Sequence, residues 1–226
     1  MVDIHKMFLF IALVLSLALA HHYSHKSTAC WVWRQSDLSQ VEADNQLILY
    51  QGNITEDWEY EGIGVQPQAI GHKKVSILFR MYTLGSVEDF LSLYREKVRD
   101  WNYFGVEVVG LEIDYDSPSS LLGKYENWLR ELKSKVDIEI SITSLSTYIW
   151  DNPLGLKRLS SEVDYISMQL YRGFEPHEKY KEVVEWLNSN GVNHRVGVTR
   201  SLNFENKESL CLQYCSGINI FLNIKG

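Results

Sequence analysis

Residues 109–116 read Val109-Gly110-Leu111-Glu112-Ile113-Asp114-Tyr115-Asp116. Side chains alternate across a β-strand, so Leu111, Ile113 and Tyr115 share one face while Glu112, Asp114 and Asp116 share the other. The apolar face suits a layer packed beneath helices. The acidic face suits the inside of a closed barrel, rising toward the C-terminal rim where barrel enzymes keep their chemistry. Carboxylates this close cannot all ionise freely. At least one is expected to hold its proton above the usual carboxylate range, as a general acid near neutral pH requires. On the preceding candidate strand Arg80 shares a face with Ser76, Leu78 and Tyr82, which makes it the expected ion-pair partner.

The pattern continues outward from this strand. Strand-like runs occupy 29–34, 47–51, 75–82, 108–116, 138–145, 163–171, 195–200 and 218–223. Helical periods lie between them at 87–101, 121–135, 154–161, 176–190 and 207–215. Phe90, Leu91, Tyr94, Val98 and Trp101 recur at the spacing of a helix with one buried face. Ser86 reads as its N-cap, and Gly191 as the residue that ends the helix before it. Strand then helix, repeated with short loops, means parallel strands joined by crossover helices. Eight strands predict an α/β fold, a (β/α)8 TIM-type barrel. The chain is shorter than the ~250 residues usual for that fold. A minimal barrel, or one slightly truncated at the C-terminus, is therefore expected, because the eighth strand runs to the last residues. The stretch 53–72 shows no helical period. A doubly wound open sheet is the rival, but no Gly-rich phosphate loop follows any strand.

Composition narrows the partners. The chain has 226 residues, 45% of them hydrophobic, and a net charge of -7. That balance excludes a nucleic-acid binder and disfavours a polyanion, since nothing would neutralise a run of phosphates. Lys6 precedes an apolar run over 7–20 that ends in Ala18-Leu19-Ala20, the pattern of a secretory signal peptide. The run falls short of the ~20 residues of a spanning helix. The expected organisation is a signal peptide at 1–20, a linker at 21–28 and a barrel domain at 29–226. A secreted or periplasmic location follows, with cleavage near Ala20 and no membrane contact beyond the signal peptide. A lipoprotein site at Cys30 would want Leu three residues earlier, where Ser27 stands. Cys211 and Cys215, spaced i, i+4 on an expected helix, read as buried thiols, because that spacing suits a disulfide poorly. No cofactor motif and no metal site are expected. A carboxylate site for Mg2+ or Ca2+ stands as a further alternative, and zinc is disfavoured because no His lies on an inward strand face.

The residues also carry resemblances. The run from Gly110 to Asp116 resembles the Gly-Ile-Asp-Ile-Asp-Trp-Glu core of the chitinase-like glycosidases (glycoside hydrolase family eighteen), and the segment from Asp164 to Tyr171 resembles that family's sixth strand. The resemblance sets Asp116 where the family keeps its acid, with Asp114 and Glu112 on the two aspartates beside it. Gln169 and Tyr171 fall on the Met and Tyr of the sixth-strand motif. Val109 stands where the family has its first Asp, and Arg172 where an Asp would help to hold an N-acetyl group. The run Ile218-Asn219-Ile220-Phe221-Leu222 offers no Trp for the floor of a sugar site. A closer likeness, covering most of the chain after residue 20, is to an exported family of glycosidase-like barrels, domain of unknown function three-one-four-two. It rests on Trp31-Val32-Trp33-Arg34-Gln35, Ile113-Asp114-Tyr115-Asp116-Ser117-Pro118, Ser141-Ile142-Thr143-Ser144-Leu145 and Gln169-Leu170-Tyr171-Arg172-Gly173. It implies a barrel and an export route.

The expected function is a glycoside hydrolase-like protein acting on a polysaccharide or glycoconjugate. Asp116, Asp114 and Glu112 are the candidate catalytic carboxylates. Arg80, Tyr82, Trp33, Trp150, Gln169 and Tyr171 are the candidate substrate-binding residues, the aromatic ones offering faces for sugar rings. Glu139, Ser141 and Thr143 give the next strand an unusually polar inward face. A glycosidase needs carboxyl groups on both sides of the scissile bond. Unless the substrate supplies the nucleophile, Glu139 or Glu175 is the candidate second group. A non-catalytic carbohydrate-binding barrel is the alternative. Asn53-Ile54-Thr55 is a glycosylation sequon.

Overall fold

The computed structural model describes residues 27–172, 175–176, 178–200 and 215–221. The expected signal peptide, and the expected helix over 207–215 apart from Cys215 itself, lie outside them. Eight strands form the barrel: β1 (Ser27–Val32), β2 (Gln46–Ile54), β4 (Lys74–Met81), β5 (Glu107–Asp114), β6 (Glu139–Ser144), β7 (Tyr165–Gln169), β10 (His194–Thr199) and β11 (Cys215–Phe221). Each is parallel to its neighbours, and β1 pairs with both β11 and β2, which closes the sheet. The expected TIM-type barrel is the observed fold.

Alternation along each strand decides what lies inside. Ile77 and Phe79 on β4, Leu111 and Ile113 on β5, and Ile140 and Ile142 on β6 face outward into the main core beneath the helices. Inside the barrel a second apolar group contains Ala29, Trp31, Ile48, Tyr50 and Leu78. Other inward positions carry polar side chains, among them Glu112, Ser141, Ser167 and Asn219, all buried. Gly197 on β10 makes room for this filling, since a Cβ there would lie 2.6 Å from the Trp31 ring.

The outer layer is α1 (Val87–Tyr103), α2 (Leu122–Lys133), the short α3 (Tyr148–Asp151), α4 (Pro153–Ser161) and α5 (Tyr180–Ser189). Ser86 caps α1 as expected, accepting from the Asp89 backbone N–H, and Gly191 follows α5 with a positive φ of 65°. The stripe of α1 buries Phe90, Leu91, Tyr94 and Trp101. Phe90 meets Phe79 and Trp128 edge-on at 5.5 and 5.3 Å. Burying each such side chain is worth about 1.5–3 kcal/mol, so these stripes, more than helix propensity, hold the layer. Arg130 ties Glu126 on α2 to Glu162 just after α4, each at 2.7 Å.

The chain between β2 and β4 crosses without a helix, as the absent period over 53–72 implies, and makes only the two-residue β3 (Tyr60–Glu61), antiparallel to the end of β2. Two expectations are corrected. The acidic strand stops at Asp114, so Asp116 belongs to the loop beyond it. Cys215 opens a strand and is disulfide-bonded, where a helical buried thiol was expected, and Cys30 is a free, buried cysteine. A further short hairpin, β8 (Tyr171–Arg172) with β9 (Glu175–Pro176), follows β7. Among the described residues no helix is long and apolar enough to cross a membrane.

Candidate functional site

Strand β5 carries its carboxylates upward through the barrel, and their surroundings change at each step. Glu112 is fully buried. Its Oε1 accepts from the Trp31 indole N–H at 2.5 Å, and its Oε2 accepts from the hydroxyls of Ser141 at 2.9 Å and Ser167 at 2.7 Å. Asn219 on β11 donates to Ser167 in turn, at 2.8 Å. Burial pushes the Glu112 carboxyl above its ordinary value, against the opposing pull of its three donors and of Arg195.

One step up, Asp114 is 4% exposed and accepts from the Thr143 hydroxyl at 2.5 Å. Burial raises this carboxyl also, with Thr143 and Arg80 opposing and Asp116 reinforcing the rise. The expectation that the cluster contains carboxyls with raised proton affinity therefore holds at these two positions. Above them Asp116 stands at the rim with 44% of its side chain exposed.

Arg80 joins the upper two. Its register on β4 is opposite Asp114. Its Nε lies 3.8 Å from Asp114 Oδ2 and its Nη2 lies 3.4 Å from Asp116 Oδ2. The guanidinium carbon sits 5.8 Å from the centre of the exposed Tyr82 ring. One cation thus bridges a buried and an exposed carboxylate, at the C-terminal end of the barrel.

Aromatic rings gather beside this cluster. Trp33 lies against Tyr50 at 4.3 Å and meets Phe221 edge-on at 5.7 Å, and Tyr171 stacks on Phe221 at 6.2 Å. Burial pushes the hydroxyls of both Tyr50 and Tyr171 up, and both lie within the field of Arg80 and Asp114. The Tyr50 hydroxyl donates to Asn53 at 2.6 Å. Gln169, half-buried, ends β7 opposite Gly197.

The structure therefore groups Asp114, Asp116, Arg80 and Tyr82, with Trp33 and Tyr171 in the adjoining aromatic group. Trp150 lies on α3, where the Lys179 ammonium is 5.4 Å from its ring. Glu112 is sealed below the surface that a ligand could reach. Glu139 opens β6 opposite Gly110, at the far, N-terminal end of the barrel, and cannot face a bond cleaved at the rim. Glu175 lies on the hairpin after β7, and only its backbone is described.

Sequence reasoning missed Trp31 and Ser167 as partners of the buried carboxylate, Asn219 as the donor behind Ser167, and Tyr50 and Phe221 as parts of the aromatic wall. Alternation from Trp33 back to Trp31 signals two inward indoles, one on β1 and one just beyond its end. Nothing local tells which carboxylate they meet. The sequon is a further departure. Asn53 is buried in β2, its amide donating to Glu61 at 3.1 Å and its oxygen taken by Tyr50. Among the described residues no group of three or more His, Cys, Asp or Glu could hold a metal ion.

No curated protein matches the chain. Among solved structures it is similar to a GH18 chitinase from Pseudoalteromonas aurantia, with 13% identity and a TM-score of 0.41, over 65% of this chain and 70% of that one. Residues 82–190 match the model of a family described as Domain of unknown function (DUF3142). That stretch holds the acidic strand, its rim and the strand after it, and the family it matches is the one that the short motifs resemble.

Proposed function

We propose that this chain is an exported glycoside hydrolase-like protein that acts on a polysaccharide or glycoconjugate by carboxylate acid/base chemistry. The observation that carries the reading is the Arg80–Asp114–Asp116 cluster, open at the C-terminal mouth of the barrel and flanked by aromatic rings. Of the three carboxylates that climb toward the mouth, Glu112, Asp114 and Asp116, the last is the one a ligand can touch. It gives a proton to the glycosidic oxygen as the bond from that oxygen to the anomeric carbon breaks. Asp114, held by Thr143 below it, acts through position, placing a charge beside the guanidinium that Asp116 meets. The new bond at the anomeric carbon comes from a group of the substrate itself or from water activated by a carboxylate on another loop. With Glu139 at the opposite end, Glu175 is the residue to examine for that role.

One observation favours a second reading, a non-catalytic carbohydrate-binding barrel. Asp116 is already engaged by Arg80 at 3.4 Å, and that contact has to open before Asp116 can carry a proton to a leaving group. Binding tolerates a closed pair, and proton transfer does not.

Release of reducing sugar from a panel of polysaccharides, compared between the wild type and Asp116→Asn, separates the two. Hydrolysis that falls by roughly 10²–10⁴ in the variant supports the enzyme. Retention of a glycan by both proteins with no cleavage by either supports the binding barrel.

A further inference from the structure

The Arg80 guanidinium has two unequal edges. Nε and Nη2 lean on Asp114 and Asp116, while Nη1 makes no hydrogen bond with any described residue, and 38% of the side chain is open to the mouth. Half-exposed and beside the Tyr82 ring, it is where a sugar stacked on Tyr82 would present a substituent. Its partners hold it loosely: 3.8 Å to Asp114 exceeds hydrogen-bond range, and 3.4 Å to Asp116 is long for a charged pair. The Nη1–Nη2 end of a guanidinium is a fork that matches a planar carboxylate with two parallel hydrogen bonds.

From this geometry we infer that the site recognises a glycan bearing a carboxylate, a hexuronate residue, by Arg80. The inference rests on the glycan-directed reading above and names its substrate class. The sugar carboxylate takes Nη1 and Nη2, and in doing so displaces Asp116 from Nη2. Asp116, no longer paired, takes a proton from solvent and turns to the neighbouring glycosidic oxygen. Substrate binding thereby opens the contact that otherwise holds the acid, so a neutral glycan lacking the carboxylate leaves the pair closed. The net charge of -7 does not oppose this, because one carboxylate is read by contact in a mouth that also carries the exposed Arg34 and Arg200 after β1 and β10. It does restrict the ligand to a chain of mixed composition, with isolated acid residues among neutral sugars.

The experiment compares uronate-bearing oligosaccharides with the same oligosaccharides after reduction of their carboxyl groups to primary alcohols. Binding is measured by calorimetry and cleavage by product analysis, on wild type, Arg80→Gln and Arg80→Lys, with thermal melting to verify folding. The expected result is binding of a uronate glycan that weakens roughly ten- to a hundredfold on carboxyl reduction and by a similar factor in Arg80→Gln. Arg80→Lys recovers part of the loss, because it keeps the charge and not the fork. The ligand-side comparison needs no variant, so a misfolded Arg80→Gln cannot hide the answer. A glycan bound or cut equally before and after reduction overturns the uronate inference and leaves the glycosidase-like reading standing. No binding or cleavage of any glycan, reduced or not, overturns both.

Discussion

Replacing Glu112 by Gln tests whether burial or hydrogen bonding decides the state of the deepest carboxyl. The amide fits the same partners. Its oxygen still accepts from Trp31, and its NH2 donates to Ser141 and Ser167, whose hydroxyls rotate to accept. Ser167 already accepts from Asn219 and keeps one lone pair for this. Packing is conserved, and the two hydroxyls lose Glu112 as their own acceptor at a cost that does not vary with pH, so the pH-dependent difference from wild type is the inability to ionise. In the wild type, burial outweighs three donors and raises the folded carboxyl above its ordinary value of 4.5. A carboxyl raised on folding adds stability that is complete below the unfolded value and is lost as pH rises toward the folded one. Over that window the wild type should lose about 1.4 kcal/mol per pH unit relative to Glu112→Gln. Urea denaturation of both proteins at pH 5, 6 and 7 measures it. With m near ~3 kcal/mol/M, the gap between midpoints should widen by up to about 0.5 M per unit, in favour of the variant, for as long as the pH lies between the unfolded and folded values. A gap that is constant with pH, or that moves toward the wild type, would refute the argument and show that the donors hold Glu112 as an anion.

Trp31→Phe removes the donor to Glu112 Oε1 and leaves that oxygen buried without a partner. A loss of about 1–3 kcal/mol is expected, larger at pH 8 than at pH 5, where the same urea titrations can compare them. In a glycosylating host Asn53 should stay unmodified, because its amide is buried against Glu61 and a glycan has no exit from β2. Intact mass before and after enzymatic deglycosylation decides this, and a shift at Asn53 would mean that this part of β2 is not packed as described.

The barrel was legible because each strand's alternation is a local property. Leu111 and Ile113 outward, with Glu112 and Asp114 inward, could be read from eight residues. So could α1, whose stripe repeats within seventeen residues. The ends were harder. The alternating pattern runs on to Asp116, but pairing stops at Asp114, and only the following Ser117-Pro118 hinted at a turn. Cys211 and Cys215 looked helical from spacing alone, whereas residue 215 is claimed by pairing with β10, a tertiary demand that overrides local preference. Contacts across the barrel were not legible at all. Trp31 meets Glu112 over 81 residues of sequence, and which inward side chain meets which depends on how the closed sheet is staggered. The missing helix between β2 and β4 was legible as an absence of period over 53–72, although the hairpin that fills the gap was not.

The order of the three carboxylates assigns their roles. Exposure rises from none at Glu112 to 4% at Asp114 and 44% at Asp116, along positions two residues apart. A buried carboxyl that has all its donors is worth most as a rigid support, because any loosening leaves a polar group unpaired at several times the cost of a surface contact. Glu112 accordingly binds β1, β6 and β7 together beneath the mouth. Asp114, held by Thr143, sets a fixed charge 3.8 Å from the Arg80 guanidinium. Asp116 alone of the three has room to move, held by a single long contact to Arg80. A site built so has a fixed floor and one mobile carboxylate above it, and the group that takes Arg80 from Asp116 determines when that carboxylate is released. Substitutions low in the ladder should therefore alter stability with little effect on ligand choice, while substitutions at Arg80 should alter ligand choice with little effect on stability.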